Sequence, residues 1–593
     1  MANSPIHATD YINLEEETCK SIKRSWFTDI NLSWINSLIK KGKTHKLQEN
    51  DVFTLRNADT AVVLHERFTL EWAKQLDKPI PKLYAAIWHT FKREITVTLL
   101  LYSVSASLTL LQPWLIKSIV QYFEQSAANA IVQTSIGISS GYGLAALLAV
   151  VCTLSVITGD YAQCLAAQIG CNVKSIFIDI VFLKTLQLSG NAKQTLSSGD
   201  VVTMTTVDSE KMLLGFWMGF WSVVAPAILF VILVLMGLQL GLTVGLISSA
   251  IMCAFMAAGY YSGTKVGYVK RQLLKVQAER VKLMSEILQG IRVVKLYAWE
   301  EHLTEYITAV RMREFQLVRK YQVMRVLNTV TLYAAPLVTM AIALVSYVAL
   351  GNELSSTTAF TVLALMNTCM APCMIFSNAV MHVSDALASS ERVNQYLLRD
   401  EMLEAPTSPT DKELSLDNAT FAWHQKPILH LINLKISTTS PSLTIIVGAV
   451  GSGKSSLIHA LLGEMTMLSG SRAVSGSISF VNQESWIMHD TLRNNILFTS
   501  GYDESKYHQV LSACQLLPDL ATLPNSDSTE IGERGINLSG GQKARVSLAR
   551  ALYKSDADIF LLDDPLSALD VHVASRVFKE CVQGLLSNKT TLL

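Results

Sequence analysis

The sequence predicts a multi-domain membrane protein: an all-α bundle of six membrane-spanning helices, followed by an α/β domain built around a glycine-rich phosphate loop. Three observations predict it. Of 593 residues, half are hydrophobic and only 16% are charged, against roughly 25% charged in soluble globular chains. The charge-free stretches crowd into residues 95–384, and each is long enough to cross the hydrocarbon core, which takes about 20 residues of helix. The motif GAVGSGKSS at residues 448–456 then sits between an apolar run and a helical one. Lys plus Arg (49) nearly cancels Asp plus Glu (48), so no whole-chain field draws this chain to nucleic acid.

Residues 1–92 read as a cytoplasmic N-terminal segment. Glu15, Glu16 and Glu17 stand where a secretory signal would need an apolar core, so no signal peptide is expected. Residues 26–43 place Trp34, Ile35, Leu38 and Ile39 on one helical face, followed by Lys40, Lys41 and Lys43. That pattern suits a helix lying in the membrane interface, and an ordinary amphipathic core helix fits it nearly as well.

Residues 95–116 and 125–159 give spans one and two. Between Lys211 and Lys265 lie 53 uncharged residues, which make spans three and four with a tight turn near Gly237 to Gly241. Residues 326–352 and 354–384, parted by Glu353, give spans five and six. Segment 265–325 carries 13 Lys or Arg and segment 174–211 carries four, while the alternate connections carry almost none. Basic residues collect on the cytoplasmic side, so both termini are expected there. The Asn-x-Ser/Thr sites at Asn31, Asn418, Asn537 and Asn588 then lie away from glycosylation. Residues 265–289 and 291–325, split at Gly290, predict a helical hairpin reaching beyond the membrane. Ile287, Leu288, Ile291, Val293, Val294 and Trp299 near its tip favour a docking surface over a merely solvated hairpin. The nine cysteines lack zinc-like spacing, and most read as small apolar residues. Pro406 and Pro409 follow a charged stretch, placing the boundary of the membrane domain (93–399) and the second domain (400–593) near residue 400.

In the second domain, the apolar run Leu443 to Val447 leads into the glycine loop and the helical LIHALLGEM. Gly448, Gly451 and Gly453 let backbone N–H groups close round phosphate oxygens, with Ser452 and Ser456 in the same loop. Lys454 brings a charge to the β and γ phosphates, and the Ser455 hydroxyl is placed for Mg²⁺. IFLLDD at 559–564 predicts a buried strand ending in two carboxylates. Asp563 is the natural oxygen ligand for that Mg²⁺, and Asp564 sits where a base could polarise an attacking water. INLSGGQKARVSLARAL, residues 536–552, puts Ser539, Gly540 and Gly541 at a helix N-terminus, a second anion-binding device. No Asn-Lys-x-Asp reader of guanine follows, since Asn588-Lys589-Thr590-Thr591 lacks the Asp, which favours ATP.

A phosphate loop, then LSGGQ, then IFLLDDPLSALD, downstream of six spans, resembles half of an ATP-binding-cassette exporter. NLSWINSLIKKG, EILQGIRVVKLYAWE, SSERVNQYL and FVNQESWIMHDTLRNNILF are similar to the C subfamily, the multidrug-resistance-associated proteins. The resemblance implies an exporter-type bundle with long intracellular hairpins, a lasso-like N-terminal segment and a P-loop NTPase cassette. It makes Trp423 the aromatic that stacks on adenine, Gln483 the residue of a loop that senses Mg²⁺ and touches the hairpins, and Asp570 part of a loop crossing the cassette interface. Ser539, Gly540, Gly541 and Gln542 would grip the γ-phosphate of ATP held by a partner cassette, supplied by a second half of the transporter. Closing that sandwich would draw together the hairpins around Gly199 to Asp208 and Glu286 to Val293. Asp564 stands where active cassettes of the family carry Glu, which implies a site that binds ATP well and hydrolyses it slowly, and a chain weak or inactive alone. The final residues resemble the strand before the family's switch histidine, and no His follows His572, so the cassette is expected to be incomplete and the chain a fragment.

The resemblance further implies transport of amphipathic organic anions or conjugates across a lipid bilayer, plasma or vacuolar. Lys117, Trp114, Trp217, Trp221 and Tyr333 could line the path, or be a snorkelling lysine and interfacial aromatics. Family relatives also leave open an ATP-gated channel or channel-regulatory subunit, and a truncated product without function is a third reading.

Overall fold

Charge-free runs become helices because a backbone in hydrocarbon must satisfy its own N–H and C=O groups. The computed structural model describes residues 35–48, 51, 53, 55–127, 134–194, 196–401, 413–423, 426–438, 440–532, 535–554 and 556–593. The chain divides into two units, one of Met1–Leu183 with Gly199–Leu398 and one of Lys184–Ser198 with Arg399–Leu593. Glu15 to Glu17, Asn31 and Trp34 lie outside the described residues.

In the first unit, α1 (Asn36–Thr44), α2 (Ala61–Leu76) and α3 (Leu83–Thr90) precede α4 (Lys92–Ala127) and α5 (Gly141–Gln187). The short α6 (Gly190–Gln194) belongs to the second unit. Then come α7 (Gly199–Leu240) and α8 (Leu242–Gln289), α9 (Ile291–Leu296), α10 (Glu300–Ala349) and α11 (Ser356–Leu397). Six of these helices are long and apolar enough to cross a membrane, and only 17–39% of their most apolar windows is buried inside the protein. Apolar exposure on that scale is tolerable in lipid and costly in water.

The turn between α7 and α8 falls at Gly241, whose φ of 89° suits glycine. Span two starts later than its charge-free run. Residues 134–140 are not helical, and α5 begins only at Gly141, because an uncharged loop is invisible to a scan for charges. The hairpin also differs from two helices split at Gly290. A second break at Tyr297–Trp299, with Ala298 at φ 53°, isolates α9 as a separate tip helix. Its face is open, with Leu296 84% and Trp299 53% exposed. Below the tip, Arg280 and Arg311 each donate to buried Glu314 at 2.8 Å, clamping α8 to α10.

Spans are tied at their ends by carboxylates, one exposed and one buried. Glu124 of α4 accepts the Thr357 N–H (3.1 Å) and hydroxyl (2.5 Å) at the start of α11. Asp208 of α7, fully buried, accepts from Ser389 (3.1 Å) and from Arg392 of α11. Arg392→Met is expected to cost about 1.5–3 kcal/mol by removing the nearer of the two cations on that carboxylate, with Lys211 remaining at 3.5 Å, while Asp208→Asn with Arg392→Met recovers most of the loss. Thermal unfolding of the detergent-solubilised chain reads both, and equal destabilisation of the single and double variants would remove the pairing from the account.

The N-terminal segment is pinned to α5. Asp59 accepts from Arg56 (3.1 Å), Gln168 (2.9 Å) and Asn172 (2.8 Å), and His65 Nδ1 lies 2.5 Å from Asp179. The hydrogen bond to Asp179 raises the His65 pKa above its ordinary 6.5, against desolvation. A raised histidine contributes fully below pH 6.5 and loses its contribution as pH climbs through the folded value. The effect is at most about 1 kcal/mol for so exposed a pair. Tryptic cleavage after Lys82 should therefore speed up between pH 6.5 and 8.5 relative to His65→Ala, and parallel profiles would contradict this.

In the second unit, β1 (Glu413–Trp423) pairs antiparallel with β2 (Lys426–Ser437) and, further along the chain, with β4 (Thr466–Val474). A parallel sheet runs in the order β3 (Ser442–Thr444), β9 (Thr590–Leu592), β8 (Ile559–Leu562), β5 (Ile478–Val481). Between its strands lie α12 (Lys454–Leu462), the two-residue strands β6 (Asp490–Thr491) and β7 (Glu530–Ile531), α13 (Leu492–Leu497), α14 (Glu504–Ala513), α15 (Leu517–Thr522), α16 (Gly540–Tyr553) and α17 (Val571–Val577). β3 is shorter than the apolar run Leu443 to Val447, because it is an edge strand with one ladder. Val447 is 88% exposed.

Candidate functional site

The site collects at the carboxyl ends of parallel strands, where an open α/β sheet binds its ligands. β8 is buried at every residue because parallel strands are covered on both faces. Its apolar run ends by delivering Asp563, 7% exposed, whose N–H donates to Val481 O at 2.9 Å. From the other side, the glycine loop hands over to α12 through Gly453 at φ 95°, and Gly451 has φ 83°. A side chain at either position would strain that path.

The loop brings Ser455 Oγ to 3.1 Å from Asp563 Oδ1, uniting two residues 108 positions apart. Lys454 Nζ donates to Gly448 O (2.8 Å) and Ala449 O (3.0 Å), bracing the loop from inside. A Cβ on Gly448 would fall 2.7 Å from Ser452 Oγ, so a side chain there would force that hydroxyl to turn away. A hydroxyl beside a buried carboxylate is an oxygen-only donor set that fits a hard divalent cation. The backbone cradle at the start of α12 fits phosphate. The chain's residues thus suit a nucleoside triphosphate with Mg²⁺, held by the loop, Lys454, Ser455 and Asp563.

Asp564 follows on the exposed side of the strand end, in the left-handed region at φ 49°. Its carbonyl accepts from Ser567 Oγ at 3.0 Å. Gln483 is exposed just after β5, whose Val481 is the ladder partner of Leu562, so the two candidates share one edge of the sheet. Trp423 ends β1 and meets His459 of α12 edge to face at 6.0 Å. His459 in turn meets Phe480 at 6.0 Å and Glu464 at 2.7 Å. The hydrogen bond between them raises the His459 pKa and lowers that of Glu464. None of His459, Phe480 or Glu464 was signalled by the sequence, because they come from separate elements without a shared motif.

Glu464 also meets α6. A Cβ on Gly190 would fall 2.1 Å from Glu464 O, and Lys184 reaches Glu401 at 2.5 Å. Lys184–Ser198, in the connection after span two, belongs to the second unit, whereas Gly199 to Asp208 lies in the first unit at the start of α7.

The second anion device stands apart. Ser539 caps α16, accepting the Gln542 N–H at 3.2 Å, and Gln542 Oε1 accepts the Ser539 N–H at 2.9 Å. This capping box makes both side chains part of the helix start, and Gly540 and Gly541 are its first turn. Gln542 Nε2 donates to Asp519 Oδ1 at 3.0 Å, and Asp519 pairs with Arg545 at 2.9 Å. Nothing within 4 Å would meet a Cβ on Gly540, whereas one on Gly541 would meet Ala568 O at 3.0 Å. The glycine pair so presents one open side. Among the described residues, no hydrogen bond joins this tip to the glycine loop. Asp570 caps α17, accepting from His572 and Val573 N–H groups at 3.1 and 3.0 Å.

In the first unit, Lys117 donates to Gln239 of α7 at 2.8 Å and lies 5.0 Å over Trp114. Trp221 stacks edge to face with Tyr102 at 5.5 Å. Tyr333 is 46% exposed.

Residues 95–373 match the family model of the ABC transporter transmembrane region, and residues 430–567 match that of the ABC transporter. The chain is 33% identical to ABC transporter C family member 8 of Dictyostelium discoideum, over 98% of this chain and 36% of that protein. It is 32% identical to ATP-binding cassette sub-family C member 3 of Rattus norvegicus, over 98% of this chain and 40% of that protein. It is 33% identical to ATP-binding cassette sub-family C member 2 of Mus musculus, over 93% and 36%. The chain thus spans 36 to 40% of the length of these three relatives.

Proposed function

Because the chain belongs to the ABC transporters, with relatives of the C family along nearly its whole length, we propose that it supplies one transmembrane bundle and one ATP-binding cassette of an exporter for amphipathic organic anions. The observation that carries the reading is the Ser455 to Asp563 hydrogen bond beside the glycine loop. Few arrangements place a hydroxyl, a buried carboxylate and a lysine around a turn of backbone N–H groups unless phosphate and a divalent cation are held there.

Bound Mg²⁺ would offset phosphate charge as ATP is cleaved. The chain's own residues do the positioning. Loop N–H groups and Lys454 orient the phosphates, Asp563 and Ser455 present oxygens, and Trp423 offers its face to adenine. Asp564 and Gln483 stand at the sheet edge where an attacking water would be oriented. The open side of Gly540 and the helix start behind it suit a γ-phosphate brought by a second cassette, from another half of the transporter.

Two features suit coupling. Trp423, His459, Glu464 and α6 form a continuous chain of contacts from the adenine side to the connection after span two. The exposed apolar residues of α9 provide a second surface for a cassette. ATP would act only through a preference for the closed state over the open one. In the bundle, Lys117 beside Trp114 offers a cation and an aromatic face to an anionic amphiphile. Both termini lie on the cytoplasmic side in this reading, with the basic hairpin.

Inside-out vesicles carrying the full transporter test the function. ATP-dependent uptake of a labelled glutathione conjugate, lost with a non-hydrolysable analogue, is expected. ATP-dependent ion conductance without uptake would replace export by gating.

A further inference from the structure

Two cavities meet at the membrane edge of the first unit, and neither is used by the mechanism above. One, of about 450 Å³, is walled by α3, the start of α4, α7 and α11, through Trp88, Leu99, Phe216, Phe220, Val383 and Leu387. Its volume lies in the range of ordinary ligand sites. Its outer wall is open between helices, with Trp88 48%, Val223 64% and Leu387 50% exposed. The other, of about 660 Å³, is lined by Arg67, His89, Lys92, Arg93, Glu94 and Thr96 among others. His89 lines both, so an apolar cleft and a basic hollow are contiguous.

The charges in the hollow are unequal. Arg67 is spoken for, donating to Glu94 (2.8 Å) and to Thr90 O (2.8 Å). Lys92 and Arg93 are exposed, and no ion pair joins either to a described residue. Glu94 retains a buried second oxygen without a hydrogen-bond partner. Three cations thus face one carboxylate, and the position along the chain fixes the depth. Lys92 and Arg93 are the last cations before the charge-free run that starts at Ile95, so the hollow lies at headgroup level and the cleft below it in hydrocarbon. Tyr84 and Trp88 on α3 stand where interfacial aromatics belong.

We propose that the paired cavities bind one anionic glycerophospholipid, phosphatidylserine in kind, from the leaflet where span one begins. An acyl chain fills the apolar cleft. The phosphate and carboxylate lie over Lys92 and Arg93, and the headgroup ammonium donates to the free oxygen of Glu94. Phosphatidylcholine enters the cleft and offers its phosphate to one cation, but it has no carboxylate for the other and its quaternary ammonium has no N–H to give Glu94.

The test needs neither ATP nor transport, so it stands apart from the function proposed above. The full chain is placed in phosphatidylcholine nanodiscs doped with phosphatidylserine or phosphatidylcholine bearing a photoreactive acyl chain, and the labelled peptides are mapped. Labelling is expected on the peptides containing Trp88 and Leu387. A basic side chain at the membrane surface favours anionic lipid by about fivefold, so the carboxylate that phosphatidylcholine lacks should give a roughly fivefold preference for the serine lipid there. Lys92→Gln with Arg93→Gln should cut that preference to less than about twofold, while labelling of the cleft by either lipid persists. Leu387→Trp, which fills the cleft from its exposed wall, should lower labelling by both lipids at least fivefold against sites elsewhere on the bundle. Should Leu387→Trp fail to fold, competition by unlabelled phosphatidylserine at the Trp88 peptide decides. Equal labelling by the two lipids at these peptides, or labelling that ignores both the charge variant and the competitor, overturns the proposal.

Discussion

Lys454→Ala is expected to abolish ATP binding at the glycine loop, lowering affinity at least a hundredfold. The side chain is the loop's only cation, and hydrogen bonds to charged groups contribute about 1.5–3 kcal/mol each. Two such bonds to phosphate oxygens exceed the 2.7 kcal/mol or so that corresponds to a hundredfold change. Fold loss is a weak competitor as an explanation, because alanine at the first residue of α12 is the better helix former. A stronger competitor is present in the geometry. Lys454 Nζ bonds the carbonyls of Gly448 and Ala449, so its loss also slackens the loop. Lys454→Gln separates the two, since its amide can still brace a carbonyl while bringing no charge. Photolabelling of the full chain with a reactive ATP analogue should show both variants dark. If Lys454→Gln labels as strongly as the wild type, lysine is a brace and the phosphate assignment fails.

That loop shows why part of this molecule was legible from residue order and part was not. GAVGSGKSS and IFLLDD carry their chemistry in consecutive residues, and the strand that precedes each points its end at the same sheet edge, so Ser455 and Asp563 could be paired in advance. Spans three and four were equally plain, since 53 uncharged residues admit few arrangements. The start of span two was hidden, because a loop with no charge looks like membrane until Gly137, at φ 77°, turns the chain before α5. The break at Ala298 carries no glycine or proline to announce it. The contact of α6 with Glu464 was invisible for another reason. It depends on which unit a connection joins, and sequence spacing encodes no such choice. Ser539 and Gln542 were read as phosphate ligands, while the structure first shows them completing a capping box. Both roles use the same helix start, since a well-capped N-terminus also presents its remaining N–H groups outward.

Asp564→Glu is expected to raise ATP turnover by about ten- to a hundredfold in the assembled transporter, while Asp564→Asn changes it by less than about twofold. The argument is one of reach. Asp564 lies two residues after β8, a strand buried at every residue, and its carboxylate stops one methylene short of where a glutamate would stop. A misplacement on the order of 1 Å at a reacting centre costs about 10²-fold in rate, or about 2.7 kcal/mol of barrier. Against this stands the backbone. Asp564 sits at φ 49°, a region that short polar side chains tolerate and longer ones occupy at a cost of about 1–2 kcal/mol. That cost falls on the folded cassette in ground and transition states alike, so it lowers stability and leaves the barrier gain intact. Single-turnover hydrolysis at this site, with the partner cassette inactivated, separates the terms, and thermal unfolding of Asp564→Glu should fall while its hydrolysis rises. A complete loss of hydrolysis in Asp564→Asn would mean that the aspartate already works as the base, and the slow-site reading would have to be abandoned.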